Sequence, residues 1–189
     1  MALLLTTPPT AEPVALADMK AHLRLTLTDD DAYILALITA ARRAIESHYA
    51  LALMPQSWAL FADAWPVNGV FHIPLWPVLS VASLTVYSDD DSFITIDPSN
   101  YYLDLATRPV RLALRQGRVF APPGRNINGL KIAFNAGFGV DATAVPAEIK
   151  EGLMATVADW YQNRGDVAGG TLPATALVAL AAYKNVRLA

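Results

Sequence analysis

One stretch constrains this chain more than any other: TDDDAYILALITAARRAIESHY, residues 28–49. Thr28 is placed to accept a bond from an N-terminal backbone N–H. Asp31, three residues on, is placed to reach back as in a capping box. Asp29, Asp30 and Asp31 add carboxylates in the first turn, where the helix dipole favours negative charge. Ile34, Leu37, Ile38, Ala41, Ile45 and His48 then recur at helical spacing and form one apolar stripe. Such a stripe needs a covering surface, from this molecule or from a neighbouring copy. The remaining face is also low in polarity, with Ala36, Ala40 and Ala44. It implies a neighbouring subunit with Arg42 and Arg43 at the boundary.

The 189 residues suffice for one domain with a real core, or one domain with an inserted lobe. Charged residues make up only 16%, against about 25% in a typical soluble chain. That balance leans towards burial in an assembly. The net charge of −3 argues against affinity built on phosphate contacts. The absence of Cys excludes disulfides and thiolate metal sites. The start, MALLLTTPPT, lacks a basic n-region, and no apolar run reaches the ~18 residues of a membrane span.

Along the chain, Pro8, Pro9 and Pro13 predict an extended leader. A short helix follows with Leu16, Met19 and Leu23 on one face, and Ala15 is a poor cap for it. It connects through 24–28 to the long helix, so the two fold back or cross. After Pro55 the pattern becomes extended. Strands are expected around 57–62, 70–73, 84–87, 93–96, 101–105, 110–114 and 130–135, with turns at 88–91 and 121–129. The two prolines of 73–81 suit an edge or corner. Leu130, Ile132 and Phe134 give the clearest half-buried alternation. Helical spacing returns after Pro146 with Ile149, Leu153, Val157, Trp160 and Tyr161, and Gly165 is a natural stop. Pro173 opens a last short helix bearing Ala176, Leu177 and Leu180. The class is α+β: a small antiparallel helical bundle of about four helices with an inserted antiparallel β lobe. The expected division is 1–55 and 141–189 for the bundle, and 56–140 for the lobe.

Charge is segregated along the chain. Between Ala44 and Asp104 there are seven acids, including Asp89, Asp90 and Asp91, and no Lys or Arg. Between Leu105 and Val140 there are six bases and no acids, including Arg108, Arg111 and Arg115. The two halves could pair across one sheet. They could instead face different neighbours in a head-to-tail ring. A third option puts the bases on DNA or another partner.

Catalytic patterns are missing. His22, His48 and His72 are scattered, without metal-ligand spacing. The Asp89–Asp91 run has the character of a hairpin tip and lacks the ligand pattern of a calcium loop. Ser57, Ser80 and Ser83 have no nucleophile-elbow context. Gly137 and Gly139 lack the rest of a phosphate loop. Trp58, Trp65, Phe71, Trp76, Phe134 and Trp160 serve as core or interface anchors. No cofactor is expected.

Several stretches, in order and over nearly the whole chain, resemble the head–tail connector (adaptor) proteins of long-tailed bacteriophages and gene transfer agents. They are TPPTAEPVALADMKAHLRL, DDDAYILALITAARRAIE, IPLWPVLSV, FNAGFG followed by VPAEIKEGLMATVADWYQNRGD, and the tail LAAYKNVRLA. Ala15 departs from the usual Ser or Thr cap, and Lys184 and Asn185 stand where more Arg is expected. The resemblance implies a non-enzymatic ring of twelve copies below a portal vertex. The tail, Tyr183, Lys184, Asn185, Val186, Arg187 and Leu188, would dock on the portal protein. A stopper or tail-completion protein would bind the other side, and DNA would pass through the lumen without specific binding. The competing expectation is a small-molecule-binding or hydrolytic domain with its site in the aromatic β lobe. A DNA-binding assembly factor is a weaker third.

Overall fold

The computed structural model describes residues 1–117, 120–164 and 171–184. It is α+β, with four α-helices and two antiparallel sheets. The chain divides into two units: residues 1–9 with 55–138, and residues 10–54 with 139–189.

The first unit holds all the strands. Its larger sheet contains β1 (Ala2–Thr7), β2 (Gln56–Ala62), β4 (Val78–Tyr87), β5 (Phe93–Ile96) and β8 (Leu130–Ala136), in the order β1-β2-β8-β4-β5. Every neighbouring pair is antiparallel. The smaller sheet contains β3 (Val70–Ile73), β6 (Tyr101–Asp104) and β7 (Val110–Leu114), in the order β3-β7-β6. Strand β8 is central because its alternation is complete: Leu130, Ile132, Phe134 and Ala136 are all buried. Across it lie Trp58 of β2 and Val81 of β4, both in register with Phe134. On the opposite face Asn135 joins Ser57 and Ser80 by hydrogen bonds of 2.8 and 3.3 Å.

Two local expectations change here. The proline-bounded leader is extended, as its residues require, but Ala2–Thr7 also forms a full edge strand against β2. Paired strands need a partner 50 residues away, which a local pattern does not reveal. The segment 73–81 does turn a corner, through a cis Trp76–Pro77 bond, yet β4 then runs on as the longest strand.

The second unit holds α1 (Leu16–Leu23), α2 (Asp31–Tyr49), α3 (Ala147–Gln162) and α4 (Ala174–Ala179). Helix α2 buries Ile34, Ile38, Ala41 and Ile45, and α3 buries Ile149, Leu153, Val157 and Trp160. The two helices pack together, as do α3 and α4. Gly152 permits the second contact, since a Cβ there would lie 2.9 Å from Leu180 Cγ. The last position of the expected α2 stripe is Tyr49, which is buried, whereas His48 is exposed. The expected stop at Gly165 lies outside the described residues.

The start of α2 also differs. Its N-cap is Asp30, and no side chain caps the helix. Thr28 contributes its carbonyl oxygen, which accepts from Asp31 N at 3.1 Å. The acids serve tertiary contacts instead. Asp31 pairs with Lys20 of α1 at 2.6 Å, fixing the return between α1 and α2. Asp30 accepts from Arg164 at 2.8 Å and from the Tyr161 hydroxyl, tying the start of α2 to the end of α3. Helices α2 and α3 are therefore antiparallel. The Arg164 guanidinium lies 4.7 and 4.2 Å from the ring centres of Tyr33 and Tyr161.

This clasp has a consequence for pH. Arg164 first, and Tyr161 second, hold the Asp30 carboxyl below its ordinary range. A carboxylate with a depressed folded pKa contributes stability above its unfolded value, and the contribution is lost as pH falls through the folded value. The thermal stability of wild type is expected to fall below about pH 4. Asp30→Asn should flatten part of that acid limb. An acid limb identical in wild type and Asp30→Asn would show that the clasp carries no such linkage.

Candidate interaction surfaces

A buried ion cluster lies inside the second unit. Arg42 is 5% exposed. Its Nε donates to Glu12 Oε2 at 2.7 Å, its Nη2 to Glu12 Oε1 at 3.2 Å, and its Nη1 to Glu46 Oε2 at 2.7 Å. Glu12 Oε1 also accepts from Thr39 at 2.9 Å, and Glu46 Oε1 from Leu53 N at 2.9 Å. Burial acts against the Arg42 charge, but Glu12 and Glu46 outweigh it and raise its pKa. The Arg42 guanidinium is thus enclosed by its own chain's carboxylates. Arg43 is exposed, together with Ala36 and Ala40, while Ala44 is half-buried. The Arg42–Glu46 spacing was legible as an i,i+4 pair. Glu12, 30 residues away, carried no such signal.

In the first unit the segregated charges pair within the chain at two places. Asp104 and Arg111 stand opposite each other across β6 and β7, 2.6 Å apart. The Arg111 hydrogen bond holds the Asp104 carboxyl below its ordinary range. Asp91 and Arg125 pair at 2.7 Å, with Arg125 stacked 4.1 Å from the Tyr87 ring centre. Asp90 accepts from Ser92 N within the turn, and Asp89 is exposed. Arg115 donates to the Tyr102 hydroxyl at 2.7 Å and lies over the same ring. Arg108 lies 5.2 Å from the Trp76 ring centre, and burial lowers its pKa. The bases of 105–140 therefore rest largely on aromatic rings and carboxylates of their own unit.

The aromatics divide accordingly. Phe71, Phe134 and Trp160 are buried, while Trp58, Trp65 and Trp76 are half-buried. Trp65 stacks between Phe71 and Phe120, and Trp76 meets Phe138 edge-on.

Cavities offer little chemistry. One, about 350 Å³, is lined by residues including Glu12, Asp18, Lys150 and Met154. Another, about 330 Å³, lies beside Met1, Asp63 and Phe71 in the first unit. Neither joins a nucleophile to a base. Among the described residues no helix is long and apolar enough to cross a membrane.

Of the expected docking tail, the described residues include Tyr183 and Lys184. Asn185, Val186, Arg187 and Leu188 lie outside them. Tyr183 is half-buried in a 3₁₀ turn with Ala181, and burial raises its pKa, with a further push from Glu148.

Residues 13–88 match the family described as phage gp6-like head-tail connector protein. Those residues, under half of the chain, are similar to that family. Solved structures extend the likeness to full length. A chain from the neck of an empty gene transfer agent particle, computed with C6 symmetry, is 25% identical. It has a TM-score of 0.86 and covers 100% of this chain and 98% of that chain. A chain from the neck of a native particle, computed with C12 symmetry, is 25% identical with a TM-score of 0.82 over the same shares. A chain from the virion of a native gene transfer agent particle, 24% identical with a TM-score of 0.83, shares the fold. No curated protein sequence matches.

Proposed function

We propose that this connector works as a ring at the neck of a phage or gene transfer agent particle, with twelve copies enclosing a DNA passage. The observation that carries this is the full-length likeness, at 25% identity, to chains of symmetric particle necks. In this proposal the helical parts, 10–54 and 139–189, build the subunit and present the tail to a portal protein. A stopper or tail-completion protein binds the other side. Arg42, Arg43 and Asp89 are proposed subunit contacts: Arg43 and Asp89 are exposed, and Arg42 lies enclosed beside Arg43. Arg108, Arg111, Arg115, Asp90 and Asp91 would act there through surfaces they already help to shape. The net charge of −3 suits a lumen through which DNA slides, because phosphate-binding arginines would hold it.

The test is truncation after Lys184. Tyr183 is packed, so cutting behind Lys184 spares the turn that holds it. The truncated connector is expected to keep the wild-type melting temperature and to lose co-sedimentation with portal rings. Undiminished portal binding would remove the tail from the docking role.

A further inference from the structure

We propose that the five-stranded sheet continues from one copy to the next, with β5 of one protomer pairing in parallel with β1 of its neighbour. This rests on the ring reading above and specifies the contact that builds it.

The argument starts from the two open edges. Among the described residues, strand β1 pairs only with β2, and β5 only with β4. Unpaired edges invite another strand, and chains that stay monomeric block them with Lys, Pro or inward charge. Neither edge here carries such a block: β1 reads ALLLTT and β5 reads FITI. Leu4 and Leu5 are 56% and 38% exposed, and Phe93 and Ile94 are 63% and 65% exposed. The pairing irregularity of β1 falls between Leu5 and Thr7, so Ala2–Leu5 stay regular.

The backbone of β5 is also presented outwards. Tyr87 donates its N–H to Gly129 O, away from β5, and Ser88 donates to Ser92 O. Antiparallel ladders alternate bonded and non-bonded pairs. Ile94 is therefore the residue bonded to Val86, and Phe93 and Thr95 point their N–H and C=O groups off the sheet.

Direction then selects the symmetry. Four antiparallel steps separate β1 from β5, so the two edges run the same way. A rotation about an axis along the strands preserves direction, and brings β5 of one copy beside β1 of the next. That contact is head-to-tail, uses both edges and closes into a ring. A two-fold contact would pair β5 with β5 and leave every β1 open.

The chain has no cysteine, which makes cross-linking clean. The experiment oxidises Leu4→Cys, Thr95→Cys and the double variant, and sizes each by denaturing gel, with mass photometry of wild type alongside. The double variant is expected to give a ladder reaching the ring size, with each single variant unlinked. Thr95→Pro, which removes only an outward N–H, is expected to convert rings to folded monomers. Wild-type rings without a ladder, or rings that survive Thr95→Pro, overturn edge pairing and leave the ring reading standing. Dimers from Thr95→Cys alone overturn it in favour of a two-fold contact. A monomeric wild type with no ladder overturns edge pairing and removes support from self-assembly as well. Cross-links only to a neck protein of another kind would assign the edge to that partner and likewise overturn the proposal.

Discussion

Arg42→Met is expected to destabilise the protein by up to about 3 kcal/mol, because removing the buried cation leaves two half-buried carboxylates without compensation. The cluster is enclosed: the side chains of Arg42, Glu12 and Glu46 are 6%, 23% and 12% exposed. Two like charges would then share a site that burial already disfavours. The triple variant Glu12→Gln, Arg42→Met, Glu46→Gln should recover most of the loss, since neutral amides keep acceptors for Thr39 and Leu53 N and leave no bare charge. Urea unfolding of the single and triple variants measures both effects. Equal stability of Arg42→Met and wild type would mean that solvent reaches the cluster and screens it.

Phe134→Ala is expected to cost about 3–5 kcal/mol in the same measurement. Phe134 is 1% exposed on the central strand, between Trp58 and Val81. A neighbouring residue supplies the control. Asn135 projects to the other face, where it joins two serines on half-exposed ground. Asn135→Ala should cost only about 1 kcal/mol, the usual net worth of such hydrogen bonds. Comparable losses at the two positions would mean that the sheet is not packed on the Phe134 face alone.

Much of this was written locally in the sequence. The period of Ile34, Ile38, Ala41 and Ile45, and the alternation of Leu130, Ile132 and Phe134, each report burial through spacing alone. Pro146 and Pro173 stand immediately before α3 and α4. The end of α2 was harder to read. Its C-cap, Ala50, is left-handed at φ 53°, a conformation usually signalled by Gly or Asn. The uses of the acids were also hidden. Asp29–Asp31 looks like a helix-start signature, yet Asp30 and Asp31 bind residues 134 and 11 positions away. Long-range pairing leaves no periodic trace, which is why Glu12, Asp30 and the strand at Ala2–Thr7 were found only in three dimensions. The charge segregation was visible, but not the aromatic rings on which Arg108, Arg115 and Arg125 lie.

The connectivity of the two units also bears on synthesis. The chain crosses between them after residues 9, 54 and 138. On a ribosome, β1 must wait for β2, and β2 must wait for β8, whose partner residues are about 75 positions later by register. Helix α2 must likewise wait for α3. Neither unit can close before most of the chain has emerged, so the apolar face of α2 and the strand edges stay open through much of translation. Growing chains of this topology are therefore exposed to aggregation and chaperone capture until late in synthesis.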